Sequence, residues 1–147
     1  MKSAKQLLGK NAQCPCCSAQ IFSACCYPLL SGTQLAETAV QLMRSRYTAY
    51  SLADITYIQK TMSGPAAEGF DAAQAKQWAE LVKWCGLTIL DAGSQNKQAE
   101  EDQVEFAAKY VMNNLLHVLH ERSQFKKINS QWFYFSGAIT PHQPIIY

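Results

Sequence analysis

Five of the six cysteines in this chain lie close together, in the segment CPCCSAQIFSACC that runs from Cys14 to Cys26. The sixth, Cys85, stands far along the chain. Clustered thiols can hold a metal ion, form disulfides or take part in redox chemistry. A reducing compartment keeps thiols free, so clustered cysteines there hold metal more often than they form a disulfide framework.

The spacing within the segment favours one metal ion. Cys14 and Cys16 flank a proline, eight residues intervene, and Cys25 and Cys26 are adjacent. Zn²⁺ prefers four sulfur or nitrogen ligands at the corners of a tetrahedron, and a site closed by four protein ligands is structural because no position is left for a substrate. The spacing is not the usual Cys-x-x-Cys knuckle, so free, partly buried and reversibly oxidised cysteines remain the alternative.

Two cysteines fall outside this set of four. We interpret Cys17 as a spectator, with competition for the metal or a reactive thiol as the alternatives. Cys85, in the apolar stretch WCGLTIL, is predicted to be a small buried residue.

Composition limits the architecture and the partners. With 147 residues, 48% of them hydrophobic, the chain is long enough for one main domain with an added cysteine-rich element. The formal charge of +2 and the scattered charged residues give no basic face, so nucleic acid binding is not supported. The sequence shows no signal peptide and no membrane span, and we expect a cytoplasmic protein.

Hydrophobic periodicity predicts three helices after the cysteines, over residues 34–54, 51–62 and 71–85. Thr33 and Ser51 are the predicted N-caps of the first two helices. The predicted apolar face of the first helix consists of Leu35, Ala39, Met43, Tyr47 and Tyr50. These helices have to position any site that the later strands carry.

The remainder of the chain predicts at least four antiparallel strands, beginning with the stretch KWCGLTIL at residue 83. Strict alternation in QVEFAAKYVM places Val104, Phe106, Ala108 and Tyr110 on one face. The pairs Asn113-Asn114 and Asn129-Ser130 are typical of two-residue hairpin turns, because asparagine tolerates positive φ. Helices followed by strands predict an α+β fold, with helices packed on one face of a curved antiparallel sheet.

The cysteine segment resembles a known zinc-binding element. The pattern Cys14-Pro15-Cys16, eight residues, Cys25-Cys26 is similar to the SEC-C motif, first described at the C-terminus of the SecA translocation ATPase. The resemblance implies that the four matching cysteines are the ligands of one structural Zn²⁺ ion. The family usually has glycine where this chain has Cys17, and the segment lacks the lysines that accompany binding to acidic proteins or ribosomal RNA in related motifs.

The rest of the chain resembles the YchJ-like family of small bacterial proteins, through LMRSRYTAY, YIQKTM, WCGLTIL, HERSQF and QWFYFSG in the same order. This resemblance implies an N-terminal SEC-C element joined to a domain like nuclear transport factor 2 (NTF2), a cone of antiparallel sheet wrapped around helices. We therefore expect the zinc-binding element over residues 1–28 and the NTF2-like domain over residues 29–147. The resemblance implies a fold rather than an activity.

A cone of this kind encloses a pocket, and the third predicted strand carries the polar residues that could serve it. Alternation places His117, Glu121 and Ser123 on one face with Leu119 and Phe125, and places His120 on the other. His117 and Glu121 could act as general acid and base. The alternative is structural: a buried Glu121 would pair with Arg44 or Arg46 of the first helix, since a lone buried carboxylate is costly. Tyr47 is predicted to be a core aromatic or a wall of the pocket.

Two functions from different classes are consistent with these residues. The first is a binding or adaptor protein, whose zinc element docks on another macromolecule, expected to be a protein, and whose cone binds a small ligand or forms a homodimer. The second is a small-molecule enzyme with isomerase-like or hydrolase-like acid/base chemistry in the cone. The sequence shows no recognisable nucleophile, cofactor motif or open metal position, which favours the first.

Overall fold

Helices precede strands in the part of the chain that the structure describes, as the sequence predicts. A computed structural model describes residues 8–9 and 11–140, so the predicted limits 1–28 and 29–147 extend past the described residues at both ends. In this part of the chain the helices are α1 (Tyr27–Leu30), α2 (Ala39–Ser51), α3 (Ile55–Lys60), α4 (Gly64–Glu68) and α5 (Ala72–Leu81), preceded by a 3₁₀ turn at Phe22–Ala24. The strands are β1 (Lys83–Asp91), β2 (Glu101–Met112), β3 (Leu115–Ile128) and β4 (Gln131–Thr140).

The four strands form one antiparallel sheet in the order β1-β2-β3-β4. This arrangement confirms the α+β fold class, with helices packed on one face of the sheet. No helix in the described part of the chain combines the length and the apolar character needed to cross a membrane.

Both predicted hairpins are confirmed. Asn113 and Asn114 have φ of 54° and 63°, and they join Met112 to its partner Leu115. Asn129 and Ser130 have φ of 51° and 66° and connect β3 to β4 in the same way. Two consecutive residues with positive φ form the turn whose twist matches that of the flanking strands, which is why asparagine is favoured there.

The predicted alternation of β2 is also confirmed. Val104, Phe106 and Ala108 are buried against the helices, as are Ser123 and Phe125 on the neighbouring strand β3. The same core extends without a break to the buried cysteines and to Phe22. The cysteine segment therefore packs directly on the helices that cover the sheet.

The start of α2 differs from the prediction. Thr38 is the N-cap, and its hydroxyl accepts a hydrogen bond from the backbone N–H of Gln41. The predicted cap, Thr33, instead donates to the carbonyl of Pro28 in the turn that closes α1. Leu35 consequently lies outside the helix and is 58% exposed. Several hydroxyl residues precede this helix, and the sequence does not distinguish which of them begins it.

Replacing Thr38 with alanine should cost about 1 kcal/mol of unfolding free energy, because the cap bond to Gln41 is lost. Thr33→Ala is the matched control, since its hydrogen bond to Pro28 is exposed and does not cap the start of a helix. Urea denaturation of both variants measures the difference. Equal losses in the two variants would contradict the assignment of Thr38 as the cap.

The later helices also differ from the prediction. Ser51 ends α2, and Asp54 caps α3 by accepting from the backbone of Tyr57. Helix α3 ends at Lys60, before the Ser-Gly-Pro sequence, which starts another helix, α4, with Pro65 in its first turn. Proline is tolerated there because the first turn has no intrahelical acceptor for its missing N–H.

Cys85 is exposed, so the prediction of a buried residue was wrong. It lies in β1, an edge strand, where a bulge between Trp84 and Gly86 leaves it without a partner in the strand register. A bulge changes which side chains point inward, and this change cannot be read from the apolar composition of WCGLTIL.

Candidate metal site and cavity

The four cysteines expected to bind a metal lie together. The Sγ atoms of Cys14, Cys16, Cys25 and Cys26 are all within 4.8 Å of one another. Cys16 and Cys25 are separated by 3.6 Å, and Cys25 and Cys26 by 3.9 Å, between sulfur atoms. All four are free thiols, and all but Cys25 are buried. This arrangement could hold one metal ion.

Short backbone elements bring the two cysteine pairs together. An isolated bridge joins Gln13 to Ile21, and the N–H of Cys14 donates to the carbonyl of Gln20 at 2.8 Å. The chain between Gln13 and Ile21 reverses direction, and Cys17 and Ala19 within it have positive φ. The 3₁₀ turn then leads into α1, for which Cys26 is the N-cap residue.

Helix α2 supports the cysteine cluster from one side. Arg44 donates from Nη1 to the carbonyl of Cys16 at 2.8 Å. Thr48 donates from Oγ1 to the sulfur of Cys26 at 3.3 Å and lies 3.8 Å from the sulfur of Cys14. These contacts orient the thiols from outside and explain why a helix of the main domain carries polar residues on this face.

Hydrogen bonds within the cluster lower the pKa of two of the thiols and raise the pKa of the other two. A hydrogen bond from Cys14 is the main cause that lowers the pKa of Cys16 well below its usual range, and a hydrogen bond from Cys26 lowers the pKa of Cys25 to about 7. The hydrogen bond with Cys16 raises the pKa of Cys14 to about 11, and hydrogen bonds with Cys14, then Cys16 and Cys25, raise the pKa of Cys26. A cation at the centre would replace the protons of these hydrogen bonds.

Cys17 lies outside the four. It is exposed, and its thiol donates weakly to the carbonyl of Pro15 at 3.6 Å. Its φ is 64°, a conformation that glycine adopts without strain and that a residue with a Cβ adopts at a cost. The local backbone thus accounts for the glycine usually found at this position of the motif.

Cys17→Gly should stabilise the protein by about 1 kcal/mol, because the substitution removes the penalty of a left-handed L-residue. Gln20→Gly is the control in the same turn, since Gln20 is exposed and is not among the residues with positive φ. The control should lose stability. Thermal melts of the metal-loaded proteins compare them, and a less stable Cys17→Gly would contradict this reading of the turn.

A cavity of about 470 Å³ lies between the sheet and the helices. Most of its wall is apolar or aromatic: Met43, Tyr47, Tyr50, Met62, Pro65, Ala66, Phe70, Trp78, Trp84, Phe106, Ala108, Leu119 and Tyr134. Its polar residues are few and include Arg46, Glu121, Ser123 and Ser136. Small-molecule sites typically have this composition, an apolar wall with a small number of placed polar groups.

Glu121 is buried on the wall of the cavity, with 9% of its surface exposed. Its Oε1 accepts hydrogen bonds from the hydroxyl of Ser123 at 2.8 Å and from that of Tyr134 at 2.6 Å. Gly137, the register partner of Ser123, lies so close that an added Cβ would collide with Oε1. The glycine leaves the space that this carboxylate occupies.

Arg46 is buried on the same wall, with 6% of its surface exposed. Its Nη1 donates to the carbonyl of Ile58 at 2.9 Å and to the hydroxyl of Thr61 at 2.6 Å. Its Cζ lies 4.6 Å from the centre of the Tyr134 ring, over its face. Burial is the largest cause that lowers the pKa of Arg46, and burial also raises the pKa of Tyr134.

The predicted site residues divide into two groups. Arg46, Tyr47 and Glu121 line the cavity, whereas Arg44 is engaged with the cysteine segment. Among the described residues, neither arginine forms an ion pair with Glu121. Tyr134 stands between Arg46 and Glu121 instead, with its ring under the guanidinium and its hydroxyl on the carboxylate.

The two histidines of β3 do not line the cavity. His117 stacks on Tyr110, with ring centres 5.1 Å apart and an interplanar angle of 12°. It precedes Glu121 by four residues, which corresponds to roughly 13 Å along a strand. His120 lies on the other face, as predicted, where its Nε2 is 2.9 Å from Glu105. Direct acid/base cooperation between His117 and Glu121 is therefore not built into this arrangement.

Sequence reasoning missed Tyr134 and Gly137, the two residues of β4 that adjoin the carboxylate of Glu121. A register shift opposite Gln124 and Phe125 leaves Phe135 between the partners Tyr134 and Ser136. Simple alternation along β4 therefore fails at this point. The available signal was the glycine in QWFYFSG, since a glycine inside a strand often marks a close approach.

The comparisons with known proteins agree with this architecture. The profile of the family described as "YchJ, middle NTF2-like domain" matches residues 38–137. A UPF0225 protein of Geobacter sulfurreducens is 38% identical over 133 residues, which cover 90% of this chain and 83% of that protein. The UPF0225 protein YchJ of Shigella dysenteriae is 34% identical over 125 residues, covering 85% of this chain and 82% of the relative.

Two solved structures are similar to the chain. A SEC-C motif-containing protein of Rhodopseudomonas palustris, solved in solution, is 33% identical with a TM-score of 0.79, covering 88% of this chain and 99% of its own. A crystal structure of a SEC-C motif-containing protein from Psychrobacter arcticus is 28% identical with a TM-score of 0.77, covering 93% and 88%. Both share the fold, and both are described by the motif that the cysteine segment resembles.

Proposed function

Because this chain belongs to the UPF0225 family and carries a YchJ-type NTF2-like domain, we propose that it is a binding protein for a small molecule, with a structural Zn²⁺ ion in its cysteine cluster. The observation that carries the proposal is the cavity of about 470 Å³, with aromatic walls and two buried charged residues of opposite sign. Pockets of roughly 300–1,000 Å³ with a few placed polar groups are typical binding sites.

The cysteine cluster fits zinc. A tetrahedron with Zn–S bonds of about 2.3 Å has sulfur–sulfur edges of roughly 3.8 Å. The sulfur–sulfur separations of 3.6 Å and 3.9 Å lie on either side of that value, and the remaining ones reach no more than 4.8 Å. Four cysteine ligands leave no open position, so the ion would stabilise the segment and take no part in chemistry. A cytoplasmic location belongs to the same proposal, since reducing conditions keep thiols available to metal.

Ligand binding can be tested with a cavity-blocking variant. Ala66 lines the cavity from α4, and its neighbour Ala67 is exposed on the same helix. We expect aromatic and apolar small molecules from a diverse panel to shift the NMR signals of cavity residues. Ala66→Trp should weaken these binders at least tenfold, and Ala67→Trp should leave them unchanged. A panel with no binder, or binders that Ala66→Trp does not affect, would contradict the proposal.

Docking of the cysteine segment on a partner protein, and formation of a homodimer, remain predictions from the sequence. Ile21 gives the segment one partly exposed apolar side chain, with 38% of its surface accessible. Sedimentation of the metal-loaded chain alone tests the homodimer directly. A monomer at high concentration would exclude self-association as the role of this surface.

An enzyme is the second candidate, and one observation favours it. Glu121 uses only Oε1 for its hydrogen bonds within the described chain, so its Oε2 is available to take a proton from a ligand. If a bound molecule is converted, Glu121→Gln should abolish turnover while binding remains measurable. A molecule recovered unchanged after long incubation with the wild-type protein would favour the binding function.

A further inference from the structure

The guanidinium of Arg46 is only partly satisfied. Nη1 has its two acceptors, Ile58 and Thr61. Nε and Nη2 have no acceptor in the part of the chain that the structure describes, and no carboxylate pairs with them there. These two nitrogens share one edge of the guanidinium plane, and their parallel N–H groups match the two oxygens of a carboxylate. A buried cation without a counter-ion is costly, so an anionic ligand group at this edge would be strongly favoured.

Glu121 offers the complementary feature. Ser123 and Tyr134 both donate to Oε1, and no described residue donates to Oε2. The carboxylate is buried on the same cavity wall as Arg46. An ammonium group of a ligand would form a charge-assisted hydrogen bond with the free oxygen, and such bonds are among the stronger ones in proteins.

Tyr134 keeps the two charges from neutralising each other directly. Its ring lies under Arg46 and its hydroxyl reaches Glu121, so the charges are separated by one side chain. Their sum is zero. A ligand with only a carboxylate would make the cavity net negative, and one with only an ammonium would make it net positive. In a buried site an uncompensated charge is unfavourable, whereas a ligand that carries both charges keeps the site neutral.

We infer that the cavity binds a small zwitterion with an apolar body, such as an aromatic α-amino acid. This inference rests on the proposed function. Its carboxylate lies against the free edge of Arg46, and its ammonium lies against Oε2 of Glu121. Its side chain packs on the aromatic wall, where Trp84 also has a buried indole N–H without a hydrogen-bond partner among the described residues. The wall gives the apolar contact, and the two charged residues give the selectivity.

Matched probes test the charge requirement on the full-length, zinc-loaded protein. L-Phenylalanine, 3-phenylpropanoate and 2-phenylethylamine share one ring and differ in which charges they carry. L-Tryptophan, indole-3-propanoate and tryptamine repeat the comparison on a larger ring. Calorimetry should show each amino acid binding at least tenfold more tightly than the propanoate and the amine that share its ring.

Two variants test the residues that recognise the charges. Arg46→Lys, which keeps the charge but loses the flat edge of the guanidinium, should weaken binding of the amino acid at least tenfold. Glu121→Gln should weaken the amino acid but leave the propanoate unchanged or tighter.

The outcomes separate this inference from the proposed function. If a propanoate or an amine binds the wild-type protein as tightly as the amino acid, the zwitterion inference fails and the cavity remains a binding site. The zwitterion inference also fails, and the cavity remains a binding site, if none of the six probes binds while Ala66→Trp weakens the binding of other panel molecules. If neither the probes nor the panel bind, the inference and the proposed function fail together.

Discussion

One zinc ion per chain is expected in protein purified without added metal, and Cys16→Ser is expected to lose it. Cys16 is fully buried, with its sulfur 3.6 Å from that of Cys25. A serine hydroxyl does not replace a thiolate ligand, and the apparent binding free energy of a structural zinc ion is on the order of 10 kcal/mol. Elemental analysis measures the stoichiometry. Cys25→Ser should behave in the same way.

Cys17→Ser is the matched control, because it changes the adjacent thiol, which lies outside the cluster. It should retain one zinc per chain. Loss of zinc in this variant, or disulfides among the four cysteines in the wild type, would contradict the site. Zinc should also be released as the pH falls, because protons compete with the ion for the four thiolates.

Gly137→Ala should destabilise the protein by about 1–3 kcal/mol. A Cβ at this position would collide with the Oε1 of Glu121 and the hydroxyl of Tyr134. The methyl group must therefore displace the carboxylate or break its hydrogen bond to Tyr134, and overpacking of this kind in a buried site is costly. Urea denaturation measures the loss of unfolding free energy.

Gly86→Ala provides the control for Gly137, because it also adds a methyl group to a strand of the same sheet. A Cβ at Gly86 would make only an ordinary contact with Lys109, at 3.9 Å. The two variants should therefore differ clearly. A double variant Gly137→Ala with Glu121→Ala should recover part of the loss, and additive losses would show that the collision with Glu121 is not its cause.

Much of the fold could be predicted because local rules determine it. Asn113 and Asn114 identify a turn by their tolerance of positive φ, and the alternation around Phe106 identifies the buried face of β2. The choice between Thr33 and Thr38 as the cap could not be made in this way. Both are threonines that precede an apolar run, and the turn after α1 decides which of them is free to cap.

The clustering of Cys14, Cys16, Cys25 and Cys26 was also predictable, because their spacing along the chain matches that of a four-ligand metal site. The surroundings of Glu121 were not. The sequence placed Glu121 on the inner face and suggested a direct partner among the arginines of the first helix. The position of Tyr134 depends on the register shift opposite Gln124, which is a property of two paired strands and has no signature in either alone.

Helix α2 contacts both the cysteine cluster and the cavity. Arg44 and Thr48 contact the cysteine segment, while Arg46 and Tyr47, from the same two turns, face the cavity. A metal ion that rigidified one side of this helix would lower the entropy lost when a ligand ordered the other side. Such coupling is reciprocal, so a ligand in the cavity would raise zinc affinity by the same factor by which zinc raises ligand affinity. The metal-free protein would then bind a cavity ligand more weakly than the metal-loaded protein.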